Sequence, residues 1–373
     1  MIQKYAICYK RPYFLTKRNY QRVLGDVILA KSYKFASMKL ISICVIVGGL
    51  LVSVSCGTEV TEVKPDPNPD LDSLITANPE SIPLLVKRGE KLFAAYEYDL
   101  ALVDAAKAFR LDTNDLSARL LYAEVINSRA TRTPQEVTTA QRMYAEYLKK
   151  KPESKRALVG YASTFSYQFD FNNSFKYINM ALKLDKHYRD GYVLKGSNYM
   201  QIGDVDKAKS SYETAVQQDP EFYEAYFKLG QIYQAENDPR CIEYFTSAYK
   251  LKPEYLEFKY QTAYSMQTHD RVDEAKELYR EMAKDTVEFY VVRGLFHQGH
   301  IHQFMENNID SAMYYYESAL KTEPRYVEAW HNLGMCYDIK GNKTQALKSF
   351  SKALKYNPNF ELSRVYADSI RLF

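Results

Sequence analysis

Small and aromatic apolar residues recur at regular intervals along most of this chain. The clearest unit, Val327 to Phe360, holds Trp330, Leu333, Gly334, Tyr337, Ala346, Phe350, Ala353 and Pro358. Gly334 and Ala346 would let two helices approach closely, Phe350 would fill the space between them, and Pro358 would end the second helix. The pattern therefore predicts a helix-turn-helix unit.

These eight positions resemble the W-x2-L-G-x2-Y, A-x3-F and late-proline pattern of the tetratricopeptide repeat, a unit of about 34 residues. Weaker copies precede it throughout the second half of the chain and much of the first. The resemblance implies an all-α fold, a right-handed α-solenoid of about eight units spanning 78–360. The predicted units lie near 82–115, 116–154, 155–188, 189–222, 223–255, 256–289, 290–326 and 327–360.

A final helix over 361–373 is predicted to cap the array, because a solenoid must end on a surface that water tolerates. We expect its outer side to carry five polar residues: Glu361, Ser363, Arg364, Asp368 and Arg371.

The segment 38–55 has a basic start at Lys39, an apolar run from Ile41 to Val54, and small residues before Cys56. It is short for a transmembrane helix, which needs about 20 residues. It resembles a bacterial lipoprotein signal, which implies that Cys56 is the lipidated first residue of the mature protein. An ordinary signal peptide and an uncleaved signal anchor are the alternatives. We interpret residues 1–37 as an upstream extension from a mis-assigned start, with translation beginning at Met38.

The region 56–77 is predicted to be the lipidated cysteine and a tether. Its part from Gly57 to Asp72 has three prolines, five acidic residues and no apolar period, a composition typical of an extended linker. Such a linker would hold the folded part away from a membrane surface.

The formal net charge of +4 belongs to the N-terminal end. Nine of the 50 Lys and Arg residues precede Cys56, but only one of the 46 acidic residues, Asp26, does so; 41 basic and 45 acidic residues remain. This balance gives no indication of a nucleic-acid partner. Cys241 and Cys336 lie in different units and form no zinc-type spacing, so we expect buried free thiols.

In this repeat class the first helix of each unit lines a concave groove that holds partner peptides or helices. Transferred by position, the resemblance implies nine groove residues: Phe227, Gln231, Tyr260, Tyr264, Gln267, Phe296, His300, His331 and Asp338. Aromatic side chains there would offer flat apolar faces for protein contacts, although each could instead pack against the next unit.

Candidate chemistry is sparse. His297 and His300 share a helix face while His302 points away, and no nearby Cys or acidic pair completes a metal site. The chain has no G-x-S-x-G, phosphate-binding glycine loop or H-E-x-x-H motif. The sequence therefore predicts no catalytic residues, no metal, no cofactor and no enzyme activity.

Together these features predict a non-catalytic adaptor, lipid-anchored in a bacterial cell envelope, that binds other envelope proteins in its groove. The periplasmic face of the outer membrane is the expected location. A glycan- or nutrient-capturing surface lipoprotein is the alternative, because the tyrosine-rich composition resembles that of such lipoproteins in Bacteroidetes-like bacteria.

Overall fold

The computed structural model describes residues 70–372, all of whose regular secondary structure is α-helical. The chain divides into two compact units, at residues 1–186 and 187–373. The predicted extension, the signal segment, Cys56 and the tether up to residue 69 lie outside the described residues. The predicted all-α class of paired helices is confirmed.

The first unit contains seven described helices. They are α1 (Leu71–Ala77), α2 (Ile82–Ala94), α3 (Tyr98–Leu111), α4 (Leu116–Ser128), α5 (Pro134–Lys150), α6 (Lys155–Tyr167) and α7 (Phe171–Leu184). We call α2, α4 and α6 first helices and α3, α5 and α7 second helices, because each first helix pairs with the helix that follows it.

The second unit contains eleven described helices. They are α8 (Arg189–Ile202), α9 (Val205–Gln218), α10 (Tyr223–Ala235), α11 (Arg240–Leu251), α12 (Leu256–Thr268), α13 (Val272–Met282), α14 (Glu288–Phe304), α15 (Ile309–Thr322), α16 (Val327–Ile339), α17 (Lys343–Tyr356) and α18 (Glu361–Leu372). Its first helices are α8, α10, α12, α14 and α16, and its second helices are α9, α11, α13, α15 and α17.

Glycine on a first helix allows a large aromatic ring of the second helix to pack directly against the first helix. A Cβ atom on Gly334 would lie 2.7 Å from the ring of Phe350, and one on Gly230 would lie 2.6 Å from Phe245. Both rings are fully buried. The recurring glycine and aromatic positions therefore set the distance between the paired helices, as their spacing predicts.

Two boundaries differ from the sequence-based expectation. Helix α1 lies inside the range assigned to the tether, where the Asp70 carboxylate accepts the Ser73 N–H at 2.7 Å and Ile75 is buried in the core. Helix α14 begins at Glu288, two residues before the predicted unit. There the Asp285 carboxylate accepts hydrogen bonds from the N–H groups of Thr286 and of Val287, the residue directly before the helix.

The last helix, α18, differs from the expected polar cap. Ser363, expected on the outer side, is fully buried, whereas Leu362, Val365 and Leu372 are exposed. The reason is rotational: Ser363 faces α16, where its Oγ lies 3.0 Å from the Nδ1 of His331. Cys241 and Cys336 are buried and free, as expected.

Among residues 70–372, no helix is both long enough and apolar enough to cross a lipid bilayer.

Candidate partner-binding surface

The predicted groove residues all lie on first helices of the second unit. Phe227 and Gln231 are on α10, Tyr260, Tyr264 and Gln267 on α12, Phe296 and His300 on α14, and His331 and Asp338 on α16. Their exposure differs widely: Tyr264 is exposed, six others are half-buried, and Gln267 and His331 are buried. The motif register places all nine residues on first helices but does not determine which side chains reach the surface.

Gln267 is the centre of a buried polar network that joins α12, α13 and α14. Its Oε1 accepts hydrogen bonds from the Tyr279 hydroxyl at 3.0 Å and from the Nδ1 of His297 at 3.0 Å. Its Nε2 donates to the Nδ1 of His300 at 3.0 Å. The carboxamide thus uses both ends inside the protein, so Gln267 supports the groove wall and does not face a ligand.

These partners fix the tautomers of the two histidines. His297 carries its proton on Nδ1, because that nitrogen faces the Gln267 carbonyl oxygen, and its Nε2 accepts from the Tyr260 hydroxyl at 3.2 Å. His300 accepts at Nδ1 and therefore carries its proton on Nε2. Burial lowers the pKa of His297 well below its usual range and that of His300 to about 4, so both rings are neutral at pH 7.

Tyr260 and Tyr264 have different roles. The Tyr260 ring has Tyr264 at a centroid distance of 6.2 Å and the Arg293 guanidinium at 4.8 Å. Burial raises the pKa of Tyr260 to about 12, in keeping with a hydroxyl that donates to His297. Tyr264 is 37% exposed, so Tyr264 and not Tyr260 offers an open aromatic surface.

Phe296 and His300 continue this surface on α14. Phe296 packs against the rings of Tyr316 and Tyr326 at 5.7 and 5.0 Å, which leaves it half-buried. His300 lies 4.6 Å from the ring of Phe304, an exposed residue at the end of α14. Phe304 is a surface aromatic that the sequence analysis missed, although its position four residues after His300 on the same helix could have indicated it.

Phe227 and Gln231 on α10 are part of the packing as much as of the surface. The Phe227 ring contacts Phe245 at 5.5 Å and Phe258 at 4.8 Å. Gln231 accepts a hydrogen bond from the Lys228 ammonium at 3.3 Å. Both side chains are half-buried, so only part of each is accessible to a partner.

His331 and Asp338 on α16 differ in their surroundings. Helix α18 covers His331, whose ring lies about 5.4 Å from both Phe360 and Tyr366. Burial lowers the pKa of His331 to about 4. Asp338 is half-buried and has no cationic partner within the described chain. The prediction that His331 faces the groove is therefore wrong, because the capping helix lies over it.

Exposed large apolar side chains are distributed differently in the two units. Residues 187–372 have ten of them, and all but Tyr314 lie on first helices, on α18 or directly after α14: Ile202, Tyr264, Phe289, Phe304, Met305, Ile339, Leu362, Val365 and Leu372. In residues 70–186 the seven such residues lie on second helices or in turns: Tyr96, Leu100, Val103, Leu111, Phe169, Met180 and Leu184. Exposed large apolar residues thus occur on first helices in the second unit but not in the first.

The first helices of the first unit carry charged side chains that bind one another. Arg156 on α6 forms two hydrogen bonds of 2.5 Å with Glu124 on α4 and one of 2.7 Å with Glu90 on α2. Asn127 and Ser163 are joined at 2.6 Å across α4 and α6. The charged groups on this side pair with one another, so they stabilise the stack and offer little to a ligand, whereas the buried Oδ1 of Asn127 accepts no hydrogen bond.

The third clustered histidine is separate from the groove. His302 stacks on Tyr315 at 5.2 Å, and its Nδ1 lies 2.6 Å from the Glu306 carboxylate. It borders a shallow cleft of about 550 Å³ between α13 and α15, where Lys276 pairs with Glu306 and Arg280 pairs with Glu277. Residues 70–372 contain no group of three His, Cys, Asp or Glu side chains placed to hold a metal ion.

Two family models match within the array. The model described as "Tetratricopeptide repeat" matches residues 327–360, and the one described as "TPR repeat" matches residues 196–236. These ranges contain α16 and α17, and much of α8 to α10.

The chain is also similar to two curated proteins. Tetratricopeptide repeat protein 6 of Homo sapiens is 28% identical over 198 residues, which cover 52% of this chain and 37% of that protein. The BBSome complex member BBS4 homolog of Drosophila melanogaster is 28% identical over 201 residues, covering 49% and 39%. The chain therefore spans less than two fifths of the length of either relative.

Two solved structures are also similar. The human IFIT1 dimer with m7Gppp-AAAA has 18% identity and a TM-score of 0.49, with 76% of each chain covered. YrrB, a TPR protein with an unusual peptide-binding site, has 18% identity and a TM-score of 0.37, with 61% of this chain and 97% of that chain covered. The family models thus identify tetratricopeptide repeats at residues 196–236 and 327–360, a class of repeat that is generally non-catalytic and mediates protein–protein interactions.

Proposed function

We propose that this chain is a non-catalytic adaptor, tethered in a bacterial cell envelope, that binds segments of partner proteins along the first helices of residues 187–372. One observation carries the proposal. Five of the ten exposed large apolar residues in that range lie on first helices, one directly after α14 and three on α18, whereas none of those in residues 70–186 lies on a first helix. Clustered exposed apolar groups favour a binding surface, whereas single scattered ones do not.

The centre of the surface would be Tyr264 with Phe304. Tyr260 packs beside Tyr264, and His300 packs beside Phe304. Tyr260 is hydrogen-bonded to His297, and His297 and His300 are both hydrogen-bonded to Gln267. Rings held by a hydrogen-bonded second layer lose little conformational entropy on binding. Such preorganised aromatic groups contribute strongly to affinity in protein interfaces.

The envelope location rests on the sequence. A basic start, an apolar run and small residues precede Cys56, and an acidic, proline-containing linker follows. A lipid on Cys56 would tether the repeats, with the periplasmic face of the outer membrane as the proposed location. Mass spectrometry of the mature protein tests this: a diacylated N-terminal Cys56 is expected, and a mature N-terminus elsewhere would contradict the anchor.

Affinity capture from envelope extracts tests the surface. The purified full chain is compared with a Tyr264→Ser, Phe304→Ser variant and with a Tyr314→Ser control, in which an exposed ring on the second helix α15 is removed. We expect specific proteins to be retained by the native chain and the control but lost from the double variant. Both changes are at exposed positions, so circular dichroism should show an unchanged fold.

Equal retention by all three proteins would contradict the first-helix surface. Saturable binding of oligosaccharides by the native chain, with no retained protein, would instead favour the alternative function of glycan capture, because exposed aromatic rings can also stack on sugars.

A further inference from the structure

Helix α18 has a row of apolar side chains that no described part of the second unit covers. Leu362, Val365 and Leu372 are 38%, 64% and 80% exposed. Their spacing places them on one face of the helix. The opposite face packs inward through Ala367 and Ile370, which are buried against α16 and α17.

This row continues the first-helix side of the repeats. Helix α18 lies beside α16, since Ser363 is hydrogen-bonded to His331 and Met335 shares a core cluster with the inner face of α18. Leu362, Val365 and Leu372 follow Glu328, His331 and Asp338 by one 34-residue repeat. Leu362 and Leu372 therefore occupy the positions of Glu328 and Asp338 on a further first helix. Val365 occupies the position of His331, which on α16 is covered by the next helix.

The side of α18 where its own second helix would pack is polar instead. Arg364, Asp368 and Arg371 are exposed there, and Arg371 pairs with Asp368 at 3.0 Å. Charged residues on this side do not favour the packing of a second helix. The helix is thus polar where a second helix would pack and apolar at Leu362 and Leu372, the positions that follow Glu328 and Asp338.

Charge indicates what the row would hold. Glu328 and Asp338 on α16 and Glu361 at the start of α18 lie beside these groove positions, and none has a cationic partner within residues 70–372. Carboxylates without cations next to an apolar row complement a partner with basic residues. They disfavour an anionic membrane and a second copy of this chain, which would bring the same carboxylates. Three side chains on one short helix also provide little of the roughly 1,200–2,000 Å² that a stable dimer buries.

We propose that α18 is part of the partner-binding surface, and that its occupant is a partner-protein segment with apolar side chains on one side and lysine or arginine beside them. This inference rests on the proposed adaptor function and specifies the chemistry of the partner at the C-terminal end of the groove.

Binding of two synthetic peptides to the purified full chain tests the proposal. Both have about 18 residues and the same leucine pattern; one carries lysine and the other glutamate at the polar positions. Fluorescence anisotropy measures the affinity for the native chain, a Val365→Ser, Leu372→Ser variant and a Tyr314→Ser control. Tyr314 is a matched position because it is also 64% exposed, on the second helix α15.

We expect the lysine peptide to bind about tenfold more tightly than the glutamate peptide, and to lose about tenfold in affinity with the α18 variant but not with the control. A Glu328→Gln, Asp338→Asn, Glu361→Gln variant should remove most of the salt dependence of binding. The substituted positions are at the surface, and the circular dichroism melting curve verifies the fold of each variant.

The possible failures are distinguishable. Lysine-peptide binding that depends on Tyr264 and Phe304 but not on α18 would overturn this inference and leave the adaptor proposal intact. Equal affinity for both peptides would overturn the basic-partner assignment. Binding that is changed neither by the Tyr264 and Phe304 substitutions nor by the α18 substitutions would overturn both proposals. Loss of a native dimer in the α18 variant, measured by light scattering, would assign the row to a second copy.

Discussion

The Oε1 of Gln267 on α12 lies 3.0 Å from the Nδ1 of His297 on α14, a hydrogen bond between two consecutive first helices. Both residues are buried, and the histidine ring is stacked on Tyr279 at 4.7 Å with an interplanar angle of 6°. The neutral histidine thus connects neighbouring repeats beside Tyr260 and the exposed ring of Tyr264. Repeat arrays depend on such neighbour contacts, since one repeat buries too little surface alone.

We predict that acid destabilises the second unit. Burial holds the pKa values of His300 and His331 near 4, below the value of about 6.5 for an unfolded chain. The unfolded state therefore binds more protons between these values, so stability is complete above about pH 6.5, falls as pH decreases towards about 4, and then levels off for these groups.

The expected slope is at most about 1.4 kcal/mol per pH unit for each such histidine. Urea unfolding of the full chain between about pH 7.5 and 4.5 measures it. His331→Asn should reduce the slope by up to about 1.4 kcal/mol per pH unit, because it removes one of the buried rings. An identical slope in the native chain and the variant would contradict this prediction.

Phe169→Gly should stabilise the protein. Phe169 ends the turn between α6 and α7 with φ of 61° and a side chain that is 74% exposed, so the residue has left-handed strain without much compensating burial. Relief of that strain exceeds the added chain entropy of glycine, and we expect a gain of about 0.5–1 kcal/mol in the free energy of unfolding.

Gly341→Ala is the reciprocal change. Gly341 has φ of 75°, and a Cβ atom added there would have no other atom within 4 Å, so a loss of about 1 kcal/mol would reflect backbone strain alone. Urea unfolding measures both variants. Destabilisation by Phe169→Gly would show that its edge contact with Phe171 outweighs the strain.

Gly334→Ala should destabilise the last repeat by about 1–3 kcal/mol, because the new methyl group would lie 2.7 Å from the Phe350 ring. Phe350→Leu removes that ring and should make the alanine substitution nearly neutral in the double variant. A double-mutant cycle of unfolding free energies measures the coupling. Additive effects would show that the ring does not limit the helix approach.

Arg156→Met should lower the free energy of unfolding by about 2–4 kcal/mol. The reason is that Glu124, whose side chain is only 8% exposed, loses its guanidinium partner. Adding Glu124→Gln should recover much of the loss by removing the buried charge. Arg371→Met, which breaks the exposed pair with Asp368, is the control and should cost less than about 1 kcal/mol. Thermal unfolding compares the three; equal losses at both sites would exclude a special role for burial.

The sequence by itself determined the repeated helix pairs and their close packing. Gly334 and Phe350 have the expected contact, and Gly230 and Phe245 repeat it, because a glycine that accommodates a ring is a local requirement repeated at fixed spacing. The same register placed the candidate groove residues on first helices. Their role in binding, the lipid on Cys56 and the envelope location stay predictions.

Only the tertiary structure decided which of those side chains are open. Tyr260 and Tyr264 are equivalent in pattern, yet Arg293 and His297 from the next repeat engage the first and leave the second exposed. Likewise Ser363 is buried and Val365 exposed because of how α18 lies against α16. Helical periodicity fixes the direction of a side chain from its own axis, whereas exposure depends on neighbouring helices whose side chains follow no repeat.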